Sequence, residues 1–248
     1  MQAGKLVRLR EFVSEQNRSF IIAIDQVIPR GLHPALQDPL ALLTTLAQVP
    51  CDALLLHSGL VKLAAPILAG RKPFIIKLTT ATTEARDKSN RIPVASVDHA
   101  LAQGAVGVAM NVFIGAECET SMLIQLGQTA EICDRLGVPL IAMINPVEAY
   151  QFAPDRLAYV CRVGAELGAD MVKTDYPGSP EAFRQVIDHC PVPILIEESP
   201  LPETEAGTVR TTREAIAAGG AGVMFGSRVW DQTNLAQISA QIFELVHS

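Results

Sequence analysis

A lysine inside an apolar run is the residue whose chemistry stands out first. Lys173 lies in "MVKTDY", which otherwise has the composition of a buried strand, and lysine is among the residue types least often fully buried. Apolar surroundings or a second cation lower the pKa of such an amine. A neutral amine attacks carbonyl carbon and forms a Schiff base, which serves as an electron sink when a neighbouring C–C bond forms or breaks.

Other charged residues share the face on which Lys173 lies. Side chains alternate along a strand, so Lys173 and Asp175 point the same way, as do Asp25 after "FIIAI" and Lys77 after "PFII". If these are inner faces of one sheet, the charges converge. An aspartate would keep the Lys173 ammonium charged, whereas Lys77 and apolar walls would favour the neutral amine. We expect Asp25 to shuttle protons. The structural alternative is a lysine that pairs with an acid and holds loops together.

Further polar residues end the other apolar runs. Asparagines there could donate hydrogen bonds to substrate oxygens or cap helices, and we expect His57 to pack a loop rather than act as a base. The additional candidates for substrate contact are His57, Asn145, Glu197, Glu198, Gly226, Ser227 and Arg228.

Eight short apolar runs alternate with helix-like segments along the 248 residues. Continuous apolar runs are typical of parallel strands covered by helices. The alternation therefore predicts an α/β fold, a (β/α)₈ TIM barrel in one domain over residues 1–248. A doubly wound open sheet is the second choice. We expect residues 1–16 to form an N-terminal helix that caps the barrel bottom.

Composition narrows the function classes. A net charge of −6 argues against a nucleic-acid partner, and no apolar run has the length of a membrane span. The five cysteines and five histidines show no metal-ligand spacing. We therefore expect a cytoplasmic protein with no metal, cofactor or membrane partner, acting on a small molecule.

Three segments carry a resemblance to a known family: "IPVASVDHALAQGAVGVAMNVFIGAECE", "VGAELGADMVKTDY" and "CPVPILI". The chain resembles the DeoC/LacD-type class I aldolases, especially the branch of archaeal-type fructose-bisphosphate aldolases and the autoinducer-2 aldolase. The resemblance implies a metal-independent lyase that forms a Schiff base with a carbonyl or sugar-like substrate. By resemblance, Lys173 takes the Schiff-base role, Asp25 matches the aspartate after strand 1, and the chain forms a homo-oligomer.

The sequence departs from the family pattern at its acid–base positions. Strand 1 ends in "DQV" where Asp-His-Gly is common, and strand 5 is followed by "NPVE" where Tyr-Pro-Arg-Gly is frequent. The usual proton-donating tyrosine is therefore missing, and Tyr176, close to Lys173 in sequence, is our candidate replacement.

The phosphate-binding positions also depart. Family members end strand 7 with two glycines whose amides bind phosphate, and this chain has Glu197 and Glu198, followed later by "GSR". Glycine lets the backbone approach an anion, whereas a carboxylate repels one. We therefore expect an unphosphorylated substrate, or one with a cationic group that Glu198 meets, unless the glutamates point outward.

Three functions remain open at this stage. The preferred one is a Schiff-base aldolase or related lyase. The second is a non-catalytic aldolase-like barrel that acts as a binding or assembly protein. The third, a metal-dependent barrel lyase, has the least support because no ligand cluster stands at the strand ends.

Overall fold

Eight apolar segments form parallel strands that close into a barrel. The computed structural model describes residues 2–248. The barrel strands are β1 Ser19–Ala23, β2 Ala53–Leu56, β3 Phe74–Lys77, β4 Gly107–Ile114, β5 Leu140–Pro146, β6 Met171–Thr174, β7 Ile194–Ile196 and β8 Gly222–Phe225. Each strand pairs in parallel with its sequence neighbours, and β1 pairs with β8. This closure confirms the (β/α)₈ barrel and excludes the open sheet.

Helices follow the strands and surround the barrel. They are α1 Ala3–Leu9, α2 Val27–Arg30, α3 Pro39–Leu46, α4 Ser58–Leu68, α5 Val97–Ala102, α6 Glu119–Leu136, α7 Pro154–Glu166, α8 Pro180–His189, α9 Glu205–Ala217, α10 Ser227–Trp230 and α11 Leu235–His247. Helix α8 begins as its sequence predicts, because the Ser179 side chain accepts a hydrogen bond from the Ala182 N–H. No helix within residues 2–248 is long and apolar enough to span a bilayer.

The alternation of strand side chains divides the core into two parts. Outward-facing residues pack against the helices, and inward-facing ones fill the barrel. Phe12, which is 1% exposed, joins the inner cluster after α1 and lies beside Gly107 at the start of β4. The segment after α1 therefore closes the amino-terminal end of the barrel. The helix itself covers Ala3–Leu9 rather than the whole of residues 1–16.

The connection between β3 and β4 contains a feature that the sequence did not predict. Thr79–Thr80 and Ile92–Pro93 pair as a short antiparallel ribbon. The ribbon ties both ends of the intervening loop to the carboxyl end of the barrel. Lys88, Ser89 and Arg91 of this loop thereby line the barrel mouth.

Candidate active site

A cavity of about 380 Å³ opens at the carboxyl ends of the strands, the end at which barrel enzymes carry their chemistry. Side chains from most of the strands and from the loops that follow them contribute to its wall. The charged and amide side chains of this wall include Asp25, Lys77, Arg91, Asn145, Asp175, Glu197 and Glu198.

Lys173 is fully buried and is not among the described residues that line this cavity. It is paired across the sheet with Leu195 of β7, so Glu197, two residues further on, projects from the same face. The Nζ atom of Lys173 contacts the Glu197 carboxylate, without the geometry of a hydrogen bond. The Glu197 side chain is 19% exposed and lines the cavity, so it separates the amine from the open space.

The environment of Lys173 favours the neutral amine. Burial lowers its pKa to about 7; Asp175 opposes this shift, and Lys77 reinforces it. An amine with this pKa is about half neutral at pH 7, whereas an ordinary lysine is neutral in roughly one molecule in 3000. The structure therefore holds Lys173 in a form that can attack a carbonyl carbon.

Asp25 and Lys77 form a second buried ion pair beside this amine. The Lys77 ammonium donates a hydrogen bond to the Asp25 carboxylate. Burial alone would raise the pKa of Asp25, but Lys77 outweighs it and brings that pKa down to about 2. An aspartate with this pKa holds no proton at neutral pH. Its low pKa and its ion pair therefore suit a fixed negative charge better than the proton shuttle expected from the sequence.

Two polar residues on neighbouring strands complete the floor. Asp175 accepts a hydrogen bond from the Glu198 N–H at 3.2 Å, and burial raises its pKa. The Oδ1 atom of Asn145 accepts a hydrogen bond from Thr174 at 2.8 Å. Asn145 lines the cavity, where its Nδ2 group is available to donate to a substrate oxygen.

Tyr176 does not lie beside the Lys173 amine, in contrast to the sequence expectation. It follows Asp175 and therefore points to the opposite face of β6, among the helices. Its hydroxyl donates a hydrogen bond to Glu214 of α9 at 3.0 Å, and its ring packs edge-on against Phe183 of α8. The tyrosine belongs to the outer core, and the acid–base group must be sought elsewhere.

The Glu198 carboxylate is already paired with arginine, which corrects the expectation that it would bind a cationic group of the substrate. Its carboxylate pairs with Arg30 of α2 at 2.7 Å and approaches Arg228 to 3.7 Å. Arg228 is buried and donates hydrogen bonds to the carbonyl oxygens of Ser199 and Leu201, both at 3.0 Å. Arg228 therefore fixes the loop after β7 instead of facing the cavity.

The remaining candidates do not reach the cavity. Gln26 packs so closely on Gly226 that a Cβ there would overlap its amide, and the Ser227 hydroxyl donates to Glu203 at 2.9 Å. Burial lowers the pKa of His57. None of Gly226, Ser227 and His57 is among the described residues that line the cavity. Gln26 thus occupies the side of Gly226 on which a Cβ would lie.

The sequence did not single out the basic residues of the mouth. Arg30 lies in the short helix after β1, and Lys88 and Arg91 lie in the ribbon loop. The stretch "EARDKSNR" contains three cations and two acids in the connection that follows Lys77 of β3. That local charge pattern was the available indication of a basic wall.

The closed barrel and the buried low-pKa lysine behind Glu197 have the features of a Schiff-base lyase. The chain matches the model of the DeoC/LacD family of aldolases over residues 19–232, and it belongs to that family. It is a class I aldolase-type enzyme, which excludes the non-catalytic alternative.

Curated relatives and solved structures agree with this assignment. A 2-amino-4,5-dihydroxy-6-oxo-7-(phosphonooxy)heptanoate synthase of Streptomyces griseus is 29% identical over 238 residues, which cover 94% of this chain and 86% of the relative. A 2-amino-3,7-dideoxy-D-threo-hept-6-ulosonate synthase of Halobacterium salinarum is 31% identical over 99% of this chain and 92% of its own length.

Among solved structures, an archaeal fructose 1,6-bisphosphate aldolase superimposes with a TM-score of 0.88, at 25% identity over 98% of this chain and 99% of its own. An archaeal fructose-1,6-bisphosphate aldolase whose catalytic lysine is covalently bound to a carbinolamine intermediate gives a TM-score of 0.87, also at 25% identity, over 99% of this chain and 100% of its own.

Proposed function

We propose that Lys173 is the Schiff-base nucleophile of this aldolase and that Glu197 carries its protons. The strongest support is the environment of the Lys173 amine. The amine is fully buried, its pKa is lowered to about 7, and it contacts the carboxylate of Glu197, which lines the cavity. Asp25 and Lys77 form the charge pair that supports this amine.

The proposed reaction begins when the neutral Lys173 amine adds to the substrate ketone. A proton passes from nitrogen to the new alkoxide by way of Glu197. Glu197, protonated from solvent, then gives its proton to the carbinolamine hydroxyl, which leaves as water, so that the iminium ion and the Glu197 carboxylate result. Glu197 next removes the proton of the hydroxyl on the β-carbon, the far carbon of the bond to be broken. Cleavage releases an aldehyde and leaves an enamine, which is protonated at carbon before water releases the ketone. The reverse order of steps joins the two fragments.

The substrate class follows from the walls of the cavity. Asn145 and the charged floor suit hydroxyl and carbonyl groups, so we infer a polyhydroxylated, sugar-like carbonyl compound. Phosphate binding after β7 is disfavoured because Glu197 and Glu198 stand there, and a carboxylate repels an anion. The names of both curated relatives describe 2-amino compounds, which supports an amino-containing, sugar-like compound; the Streptomyces griseus name also includes a phosphonooxy group, so it does not argue against phosphate.

Several further expectations belong to this proposal. We infer that residues 1–248 act as a single aldolase-like domain, in a homo-oligomer in the cytoplasm, in carbohydrate metabolism. Analytical ultracentrifugation of the purified chain tests the oligomer.

Reductive trapping tests the assignment of Lys173. The protein is incubated with dihydroxyacetone, pyruvate and related small carbonyl compounds, and borohydride then fixes any Schiff base as a stable adduct. We expect peptide mass spectrometry to find the adduct at Lys173 in the wild type and none in Lys173→Met. Lys62, an exposed lysine of α4, supplies the matched control Lys62→Met, which should trap normally. Adducts confined to other lysines would overturn the assignment.

The role of Glu197 has its own test. Glu197→Gln keeps the size of the side chain and removes its ability to carry a proton. We expect the trapping rate to fall by about 100-fold, within the usual range for general acid–base groups. We also expect the trapping rate of the variant to depend less on pH than that of the wild type at pH values above the pKa of Lys173. An unchanged rate and profile would remove Glu197 from the proposed reaction.

A further inference from the structure

One buried carboxyl group of the cavity wall has no cation partner. The wall contains five carboxyl groups, those of Asp25, Glu148, Asp175, Glu197 and Glu198. Three of them, Asp25, Glu197 and Glu198, each contact a lysine or an arginine. Glu148 is exposed to solvent. Asp175 is only 2% exposed, and none of the ion pairs formed within residues 2–248 includes it. A buried carboxylate without a cation is costly, so such a group favours its protonated form.

Asp175 lies beside the proposed reaction centre. It follows Lys173 by two residues, so both side chains point into the barrel, roughly 6.6 Å apart along the strand. Lys173 pairs across the sheet with Leu195 of β7, and Asp175 therefore lies level with Glu197. The Lys173 amine contacts the Glu197 carboxylate, so it extends towards the layer that holds Asp175. Among the charged groups around the amine, Asp175 most strongly opposes the lowering of the Lys173 pKa by burial.

The surroundings of Asp175 orient its carboxyl group and favour the uncharged acid. The Oδ1 atom accepts a hydrogen bond from the Glu198 N–H at 3.2 Å, which orients the group and leaves Oδ2 to carry a proton. Burial raises the pKa of Asp175, Lys173 opposes the rise, and the Glu198 carboxylate adds to it. The protonated form is therefore more populated here than for an aspartate in water.

One proton transfer of the proposed reaction goes to carbon. After cleavage the enamine carbon takes up a proton, and the neutral enamine becomes an iminium ion. Glu197 contacts the nitrogen, whereas this carbon lies two bonds away from the nitrogen. A neutral acid beside the carbon becomes a carboxylate at the moment when the nitrogen becomes positive. The two charges appear together, and their attraction is strong in a buried site.

We propose that Asp175 is a second catalytic acid–base group, which gives its proton to the enamine carbon after cleavage and removes a proton from that carbon in the direction of synthesis. This role rests on the proposed Schiff-base function of Lys173. The electron pair of the enamine C=C bond forms the new C–H bond, the nitrogen becomes an iminium, and Asp175 becomes a carboxylate. Hydrolysis of the iminium ion by water then yields the ketone, the neutral amine and one proton, which restores the Asp175 acid.

Exchange of ketone hydrogens with solvent deuterium isolates this step. A ketone that forms the iminium ion with Lys173 loses and regains a proton at the neighbouring carbon, without any C–C cleavage. Wild type and variants are incubated in D₂O with dihydroxyacetone and with pyruvate, and proton NMR follows the loss of the C–H signal. Asp175→Asn and Asp175→Ser remove the acid, and Asp175→Glu keeps it. Asp188→Asn removes an exposed aspartate of α8 and is the matched control.

The expected results differ between exchange and trapping. The exchange rate should fall by about 100-fold or more in Asp175→Asn and Asp175→Ser, recover in part in Asp175→Glu, and stay unchanged in Asp188→Asn. Borohydride trapping at Lys173 should persist in Asp175→Asn. It should quicken by no more than about twofold at pH 7, because Asp175 raises the pKa of Lys173 and about half of the amine is already neutral.

The two measurements separate this proposal from the proposed function. Absence of any adduct at Lys173 in the wild type would overturn both. When trapping is intact, the proposal alone is overturned if the wild type exchanges neither ketone, or if Asp175→Asn or Asp175→Ser, shown to be folded by thermal melting, exchanges as fast as the wild type. A parallel loss of trapping and exchange in these variants also overturns it, because that result indicates a general disturbance of the site. An equal loss of exchange in Asp188→Asn does the same.

Discussion

Removal of the Lys77 charge should move the pH at which Lys173 becomes reactive. Lys77 lowers the pKa of Lys173, and Asp25 raises it. At present the Lys77 ammonium also neutralises Asp25 through their buried pair. In Lys77→Met the repulsion disappears and the Asp25 carboxylate loses its partner, so both changes stabilise the Lys173 ammonium.

The size of the expected pKa shift of Lys173 follows from the one carboxylate, Asp25, that loses its partner. An unpaired carboxylate close to an amine raises its pKa by about 1 to 3 units. A rise of about 1.5 units from pH 7 leaves about 3% of the amine neutral at pH 7, where about half is neutral in the wild type. We therefore expect trapping at pH 7 to slow by roughly fifteenfold and to recover as the pH approaches roughly 9.5.

The assay is the initial rate of adduct formation with dihydroxyacetone, quenched with borohydride at timed intervals and measured by intact mass between pH 6 and about 10. The double variant Lys77→Met/Asp25→Asn removes both charges and serves as the control. Its midpoint should return towards that of the wild type. A single variant whose midpoint stays in place or moves to lower pH, with a normal melting temperature, would refute the electrostatic account of Lys173.

Three further changes test other parts of the structure. Tyr176→Phe should leave trapping intact and cost about 1 kcal/mol of stability through the lost hydrogen bond to Glu214, measured by urea unfolding; a large loss of activity would restore the tyrosine as a proton donor. Gly222 has φ of 138° and a Cβ there would overlap the Ser19 carbonyl, so Gly222→Ala should destabilise the barrel by more than about 2 kcal/mol, and unchanged thermal melting would contradict that. The pKa of Lys173 in the folded protein lies below its ordinary value of 10.5, so between pH 7 and 10.5 the unfolded chain binds more protons than the folded one. Lys173 therefore makes the unfolding free energy rise with pH in this range, by up to about 1.4 kcal/mol per pH unit. Lys173→Met should lack this contribution to the slope, and equal slopes in wild type and variant would refute the low pKa.

The eight strands were predictable because each is apolar enough to be buried on both faces. The alternation along β6 also identified the face of Lys173, since Met171 lies in the inner cluster and Val172 in the outer one. The same rule, applied one residue further than Asp175, excludes Tyr176 from the cavity. Closeness along the chain misled the choice of proton donor, because adjacent residues of a strand face opposite sides.

The partners of the charged residues could not be predicted in the same way. Arg30 follows β1 and Glu198 follows β7, and only closure of the barrel around β8 brings them within 2.7 Å. The covering of Gly226 by Gln26 depends on the rotamer of a side chain from another strand end. These contacts join residues about 170 to 200 positions apart, and a sequence pattern reports neighbours within one element.

The pairing of charges explains how one cavity can hold a reactive amine and many ionised groups. Asp25 is paired with Lys77 and Glu198 with Arg30; both carboxylates raise the pKa of Lys173, but burial outweighs them and lowers it. Glu197 remains in contact with the amine. The reactivity of Lys173 therefore depends on burial and on which charges around it are already paired, and the total charge of the lining does not reveal this.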